Sequence, residues 1–251
     1  MDRLFVLLQQ EGYLFRSCLT TGLTVLRKAD LNDPGAYYTA FFQLSTGLER
    51  LLKAIIVIEH LVMHDVAPTE KELRRYGHDL LELLAVATRP ETPASLRVRE
   101  ALAPDTLNHV LWAFLGNFAR TSRYFNLNML AGTVSDPDPI DEWNRIVVRL
   151  LAEDEHPEKI EPLQVPTALR GSPLRIARLF KLRRAQELAS SRAVVRLVRI
   201  LATLRERLGE VMTQAYLKSG NGPASQVPHM IEFLNFTYRT DGENRRKKRW
   251  P

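Results

Sequence analysis

The chain has 251 residues, 45% hydrophobic and 25% charged, with a formal net charge of +6 and a pI near 9.6, enough for a substantial core in one large or two modest domains. Its single cysteine, Cys18, excludes an intrachain disulfide framework and a thiolate metal site, which points to a reducing, cytoplasmic setting. The most apolar run, residues 51–63, carries Lys53, Glu59 and His60 and is too short to span a bilayer, so no transmembrane segment is expected; nor do the first residues read as a signal peptide.

In chain order, residues 2 to about 28 read as an amphipathic helix, with Leu4, Leu8, Leu14 and Leu23 among its apolar positions. Residues 31–35, Leu-Asn-Asp-Pro-Gly, are a turn, and a long helix is expected from 36 to about 64. Its Phe41, Leu44, Leu48, Leu51, Leu52, Ile55 and Ile58 recur at three and four, the spacing of a packed face. Thr69 and Glu72 have the spacing of a capping box, and Asp79 is placed to cap the apolar run 80–86. Pro90 and Pro93 punctuate a connector and a short helix, and a long helix is expected over 106–130, closed by Gly132. Asp138 and Pro139 read as the cap and first residue of a helix reaching 155. Five Pro and Gly residues over 157–173 make a linker. Residues 174–217 read as one basic helix, or as two divided at Ser190-Ser191. A loop at 220–228, a short apolar element at 230–238 and a solvated tail ending RRKKRWP complete the chain.

Charge is unevenly spread. Residues 173–218 hold eleven Lys/Arg against three Glu, and residues 239–251 hold six against two acids, so an acidic body carries a basic back end. Arg192, Arg196 and Arg199 form a stripe at helical spacing, and Arg175, Arg178 and Lys181 another. Such stripes suit RNA or another polyanion through sequence-independent, salt-sensitive contacts; an anionic membrane or an acidic protein would use the same feature.

The segment Phe42-Gln-Leu-Ser-Thr-Gly-Leu-Glu-Arg-Leu-Leu-Lys53, followed by Gly77-His-Asp-Leu-Leu-Glu-Leu-Leu84 and then Ala119-Arg-Thr-Ser-Arg-Tyr-Phe-Asn-Leu-Asn128, resembles a HEPN-superfamily domain over residues 36–132. The resemblance implies an up-and-down helical bundle, metal-independent RNA cleavage without a cofactor, or RNA and nucleotide binding in inactive members, and frequently a homodimer. Its motif pairs an Arg with a His four to six residues on: the Arg stabilises phosphate charge in the transition state and the His moves a proton. Arg120 matches the motif arginine, with Arg123 as alternate. The position of the His is taken by Asn126, with Asn128 nearby; an amide holds a substrate but relays no proton near neutral pH. Tyr124 lends shape or a hydroxyl. On one continuous helix Arg120, Arg123 and the asparagines would share a broad face. His78 either adds a polar group from the next helix or completes a helix cap, and Glu49 with Lys53 forms an i, i+4 pair. His60 and His64 share a face but lack a convincing third metal ligand, and Arg149 with His156 fits only the bare motif spacing.

The expected architecture is all-α: a HEPN-like bundle over 1–156, a linker over 157–173, a basic helical extension over 174–238 and a basic tail over 239–251. Two functional readings stay open. One is an RNA-directed enzyme of the toxin or phage-defence kind. The other is a catalytically silent interaction or assembly module that captures nucleic acid, a cognate protein partner or a second copy of the chain.

Overall fold

The computed structural model describes residues 3–30, 32–133, 137–152, 173–218 and 226–251, with side chains for all of these except 173–180. Every regular element among them is helical: α1 (Arg3–Lys28), α2 (Pro34–His64), α3 (Glu70–Arg75), α4 (Leu80–Ala87), α5 (Pro93–Ala101), α6 (Leu107–Arg120), α7 (Phe125–Leu130), α8 (Pro139–Ala152), α9 (Pro173–Leu217) and α10 (Asp241–Arg246), with 3-10 turns at Ser122–Tyr124 and Met230–Tyr238. The protein is an all-α helical bundle. None of the described helices is long and apolar enough to cross a membrane.

Helix starts follow the local chemistry. The Thr69 hydroxyl accepts from the Glu72 amide at 3.3 Å while the Glu72 carboxylate accepts from the Thr69 amide at 2.7 Å, the reciprocal capping box that begins α3. The Asp79 carboxylate accepts from the amides of Leu81 and Glu82 at the head of α4. Asp138 caps α8, accepting from the Ile140 amide at 2.8 Å. α2 begins two residues earlier than its periodicity implies, because Asp33 accepts from the Ala36 amide and Pro34 already has the φ of a first helical residue.

α1 and α2 pack at close range through two glycines. A methyl group on Gly47 would lie 2.8 Å from the Leu19 side chain and 3.0 Å from its backbone nitrogen, and one on Gly22 would lie 2.7 Å from Leu44, so only hydrogen fits at either crossing point.

One hydrophobic core runs through the bundle, and α9 lies within it. Ala189, Ala193, Val194, Leu197, Leu201, Leu204, Leu208 and Val211 of α9 pack with α1, α2, α5, α6 and α8. α9 is a single helix, not two: Ser190 and Ser191 are buried inside it. A helix enclosed on most sides shows cations only along a narrow rim. The expected linker lies outside the described residues except for Pro173, the first residue of α9.

The end of the chain is packed, not solvated as its charge implies. Trp250 is 4% exposed and its amide donates to the Thr24 hydroxyl of α1 at 2.9 Å. Asn244 is 1% exposed, and α10, which the sequence reading did not anticipate, opens on a second capping box between Thr240 and Glu243. The indole supplies apolar area that outweighs the hydration of the flanking cations, whose long stems still reach water.

Deep in the bundle lies Arg207 of α9, fully buried. Its Nε donates to the Ala87 carbonyl oxygen at the end of α4 at 2.9 Å, its Nη1 donates to Glu210 at 3.1 Å, and its Nη2 donates to Glu59 of α2. Glu210 also accepts from the Thr92 hydroxyl at the head of α5 at 2.6 Å. One guanidinium thus ties four helices together, with the planar fork saturating neighbouring acceptors.

Candidate phosphate-binding site

The start of α4 is pinned between α2 and α6. The Trp112 indole of α6 donates to the Leu80 carbonyl oxygen at 3.2 Å, and Gly116 of α6 lies over Leu80 with room for a methyl group, whose nearest neighbour would be the Leu80 Cβ at 3.5 Å. Gly77, at φ +55°, turns the chain into α4 in a conformation that L side chains rarely adopt. Two consecutive residues then face different neighbours. His78 Nδ1 lies 3.0 Å from both carboxylate oxygens of Glu49 in α2, and Asp79 receives Arg120 Nη1 from the end of α6 at 3.2 Å. Asp79 alone makes the cap, so His78 is released from that role and protonated Nδ1 donates to Glu49.

Lys53 Nζ donates to Glu49 Oε1 at 2.8 Å. The result is a set of polar pairs, Lys53–Glu49–His78 and Asp79–Arg120, in which each acid is more buried than the groups it pairs with. The Glu49 side chain is 18% exposed, whereas those of His78 and Arg120 are 60% and 57% exposed. Burial by itself would raise the Glu49 carboxyl, but hydrogen bonds from Lys53 and His78 outweigh it and hold the group below the usual range. Arg120 spends one of its five donors on Asp79 and presents others to water. A carboxylate-backed imidazole and an exposed guanidinium are thus both held at the head of α4, through the consecutive residues His78 and Asp79.

The rest of the motif is not assembled as its spacing implies. The expected helix over 106–130 breaks at Thr121 (φ −135°, ψ −56°), where a 3-10 turn over Ser122–Tyr124 intervenes before α7. Thr121 turns its hydroxyl back to the Asn117 carbonyl oxygen at 3.3 Å, and Ser122 is buried, a local competition with the helical ladder that hydroxyl residues favour. The common face is lost, and the side chains go to different partners. Arg123 lies 4.9 Å over the Tyr124 ring, and its Nε is buried without a hydrogen-bond partner. Asn126 Nδ2 reaches Tyr38 Oη of α2 at 3.4 Å, and the Asn128 side chain is half-buried in α7. Gly132 closes α7 at φ +74°, as expected.

The arginine stripe of α9 is engaged by other parts of the chain, although Arg199 stays 57% exposed. Arg192 Nη1 donates to the carbonyl oxygens of Leu150 and Leu151 at 2.7 and 3.3 Å, serving the end of α8 where such groups lack helical partners. Arg196 donates to Asn108 Oδ1 at 3.0 Å, and Arg199 pairs with the Asp241 carboxylate of α10, Nε to Oδ1 at 3.1 Å. Periodicity finds the stripe but cannot see the elements that close over it. Lys181 is exposed; the side chains of Arg175 and Arg178, and all of His156, lie outside the described residues. His60 and His64 stack with ring centroids 4.5 Å apart, and His60 Nδ1 lies 2.8 Å from the Val66 carbonyl oxygen.

No family model, curated protein or solved structure matches this chain.

The partnership that sequence reasoning missed is Glu49 with His78. The residues are 29 positions apart, Glu49 within α2 and His78 in the turn before α4, and only the Gly77 turn that ends in a dedicated cap at Asp79 hinted that His78 was free to look elsewhere.

Proposed function

We propose that this protein is a HEPN-like RNA-binding bundle and acts as a metal-independent endoribonuclease at the junction of α2, α4 and α6. The observation that carries this reading is His78, held through Nδ1 on the Glu49 carboxylate at 3.0 Å with most of its ring exposed, next in sequence to the partner of Arg120.

In this reading Arg120 binds a non-bridging phosphate oxygen, aided by Lys53, and stabilises the charge that builds up there in the transition state. His78 takes the 2′-hydroxyl proton on Nε2, while Glu49 fixes the tautomer and steadies the imidazolium that forms. The 2′-oxygen bonds to phosphorus as the bond from phosphorus to the 5′-oxygen breaks, and the leaving oxygen takes a proton from solvent. The proton-carrying role that the resemblance assigns to a later motif residue thus passes to His78, since Asn126 cannot fill it. Arg123, Asn126 and Asn128, on the far side of the Thr121 break, serve the binding of flanking nucleotides.

The test is incubation of the full chain with a labelled single-stranded RNA in the presence of a chelator, comparing wild type with His78→Gln and Arg120→Ala. Cleavage that either substitution removes supports the reading. Cleavage that survives both ends it.

A second reading, a catalytically silent assembly module, draws support from α7. Leu127 is 65% and Leu130 85% exposed, beside the half-exposed Tyr124 and Met129, an apolar face suited to a second copy of the chain.

A further inference from the structure

The packed end of the chain gathers cations from three parts of the sequence. The segment 245–250 lies against α1 and α9: the Ser191 hydroxyl of α9 donates to the Arg245 carbonyl oxygen at 3.1 Å, Arg27 of α1 donates to the same oxygen at 3.5 Å, and the Trp250 amide reaches Thr24. On one side of the segment is a cavity of about 240 Å³ lined by Arg27, Lys28, Arg183 and Lys248. Its two carboxylates, Asp30 and Glu187, both already lie against Arg183, at 3.6 and 3.7 Å. Next to the segment's last residues is a cleft of about 500 Å³ where Arg16 and Arg249 flank the hydroxyls of Ser17, Thr21 and Thr24, with no acidic side chain in its lining.

The two linings together gather Arg16, Arg27, Lys28, Arg183, Lys248 and Arg249 onto the surface around one segment. The ammonium of Lys247 is depressed from its ordinary value, by partial burial first and by the Arg239 guanidinium next. Random solvated cations would spread apart. Here a buried tryptophan and a buried asparagine anchor them, so the charge is arranged before any partner arrives, and a polyanion would relieve the repulsion.

We infer that the surface built by segment 245–250, α1 and α9 from Arg183 to Ser191 binds the phosphate backbone of a single-stranded nucleic acid, at a place separate from the Glu49–His78–Arg120 site. Two observations favour this partner over a lipid surface. Trp250, the segment's one large apolar side chain, is turned inward and unavailable for insertion into a bilayer. Tyr13, 58% exposed, lines the cleft beside Arg16 and Arg249 and offers a ring on which a base can stack. Backbone contacts of this kind are independent of sequence and weaken steeply with salt. The inference draws on the proposed function for the choice of RNA as first probe; the surface itself stands on the packing of the tail.

The experiment is fluorescence anisotropy of the full chain with labelled single-stranded RNA and DNA of about 20 nucleotides, between about 50 and 200 mM salt. Wild type is compared with the triple variant Arg16→Gln/Lys248→Gln/Arg249→Gln. The expected result is at least about tenfold weaker binding at low salt and a log–log salt slope shallower by about two units, since each phosphate contact on a single strand contributes roughly 0.7. Tyr13→Ala is expected to weaken binding by about tenfold. Trp250→Ala keeps every cation but frees the segment, and is expected to bind more weakly than wild type. Should the triple variant, with an unchanged circular dichroism spectrum, match wild type in affinity and slope, the inference is overturned. It is equally overturned by a wild type that ignores both nucleic acids and co-sediments with phosphatidylserine vesicles. His78→Gln separates the two proposals: intact binding with lost cleavage leaves both standing, whereas normal binding by the triple variant removes this surface and leaves the His78 site untouched.

Discussion

Replacing Arg207 with methionine tests a buried charge network, in which one guanidinium pairs with Glu59 and Glu210. The guanidinium is fully buried, and the side chains of Glu59 and Glu210 that it pairs are only 14% and 23% exposed. Methionine fills much of the volume but leaves two carboxylates facing one another and the Ala87 carbonyl oxygen without its donor. Removing one partner of a buried ion pair costs about 3–5 kcal/mol. For a chain of this length each kcal/mol moves the midpoint by roughly 2–4 °C, so the melting temperature should fall by about 6–20 °C. The loss should also depend on pH. Burial already pushes the Glu59 carboxyl above its ordinary value, Arg207 pulling the other way without cancelling it. A carboxyl raised in the folded state binds more protons folded than unfolded, so its penalty is absent below the unfolded range and grows as pH rises through the folded value. Without Arg207 that value climbs further, and the variant should lose more stability at about pH 8 than at about pH 5. Thermal unfolding by circular dichroism at the two pH values measures this, and adding Glu59→Leu should recover part of the loss. A drop below about 1 kcal/mol, or one equal at both pH values, would refute the view that this guanidinium is the electrostatic tie between α2, α4, α5 and α9.

Gly47→Ala should destabilise by about 1–3 kcal/mol in urea unfolding, because its methyl group meets Leu19 at 2.8 Å, whereas Gly242→Ala, with nothing within 4 Å, should be neutral or slightly stabilising. Glu49 is held below the ordinary carboxylate range, so its contribution is present above the unfolded value and lost as pH falls through the folded one; Glu49→Gln should flatten the acid limb of a melting-temperature profile in that window. Leu130→Asp should convert a dimer to a monomer in light scattering if α7 is the assembly face, and a wild type that is already monomeric would discard that reading.

What the sequence by itself determined is what local chemistry decides. Helical periodicity placed α1 and α2. Short-range capping at Thr69, Asp79 and Asp138 placed their neighbours, because each cap needs only residues two or three positions away. Some local signals were outweighed. The pattern over 106–130 is helical throughout, yet the chain leaves the helix at Thr121, where the hydroxyl turns back to the Asn117 carbonyl oxygen and Ser122 is buried.

Only the tertiary structure decided what the charges do. An arginine on a helix looks the same in sequence whether it faces water or a neighbour's carbonyl oxygens. Arg192, Arg199 and Arg207 acquire different roles from residues 42, 42 and 120 positions away. His78 meets Glu49, and a tail that reads as solvated is folded down by one indole, for the same reason. Burial and pairing of polar groups depend on which elements close over them, and that is a property of the assembled core, not of any window of the chain.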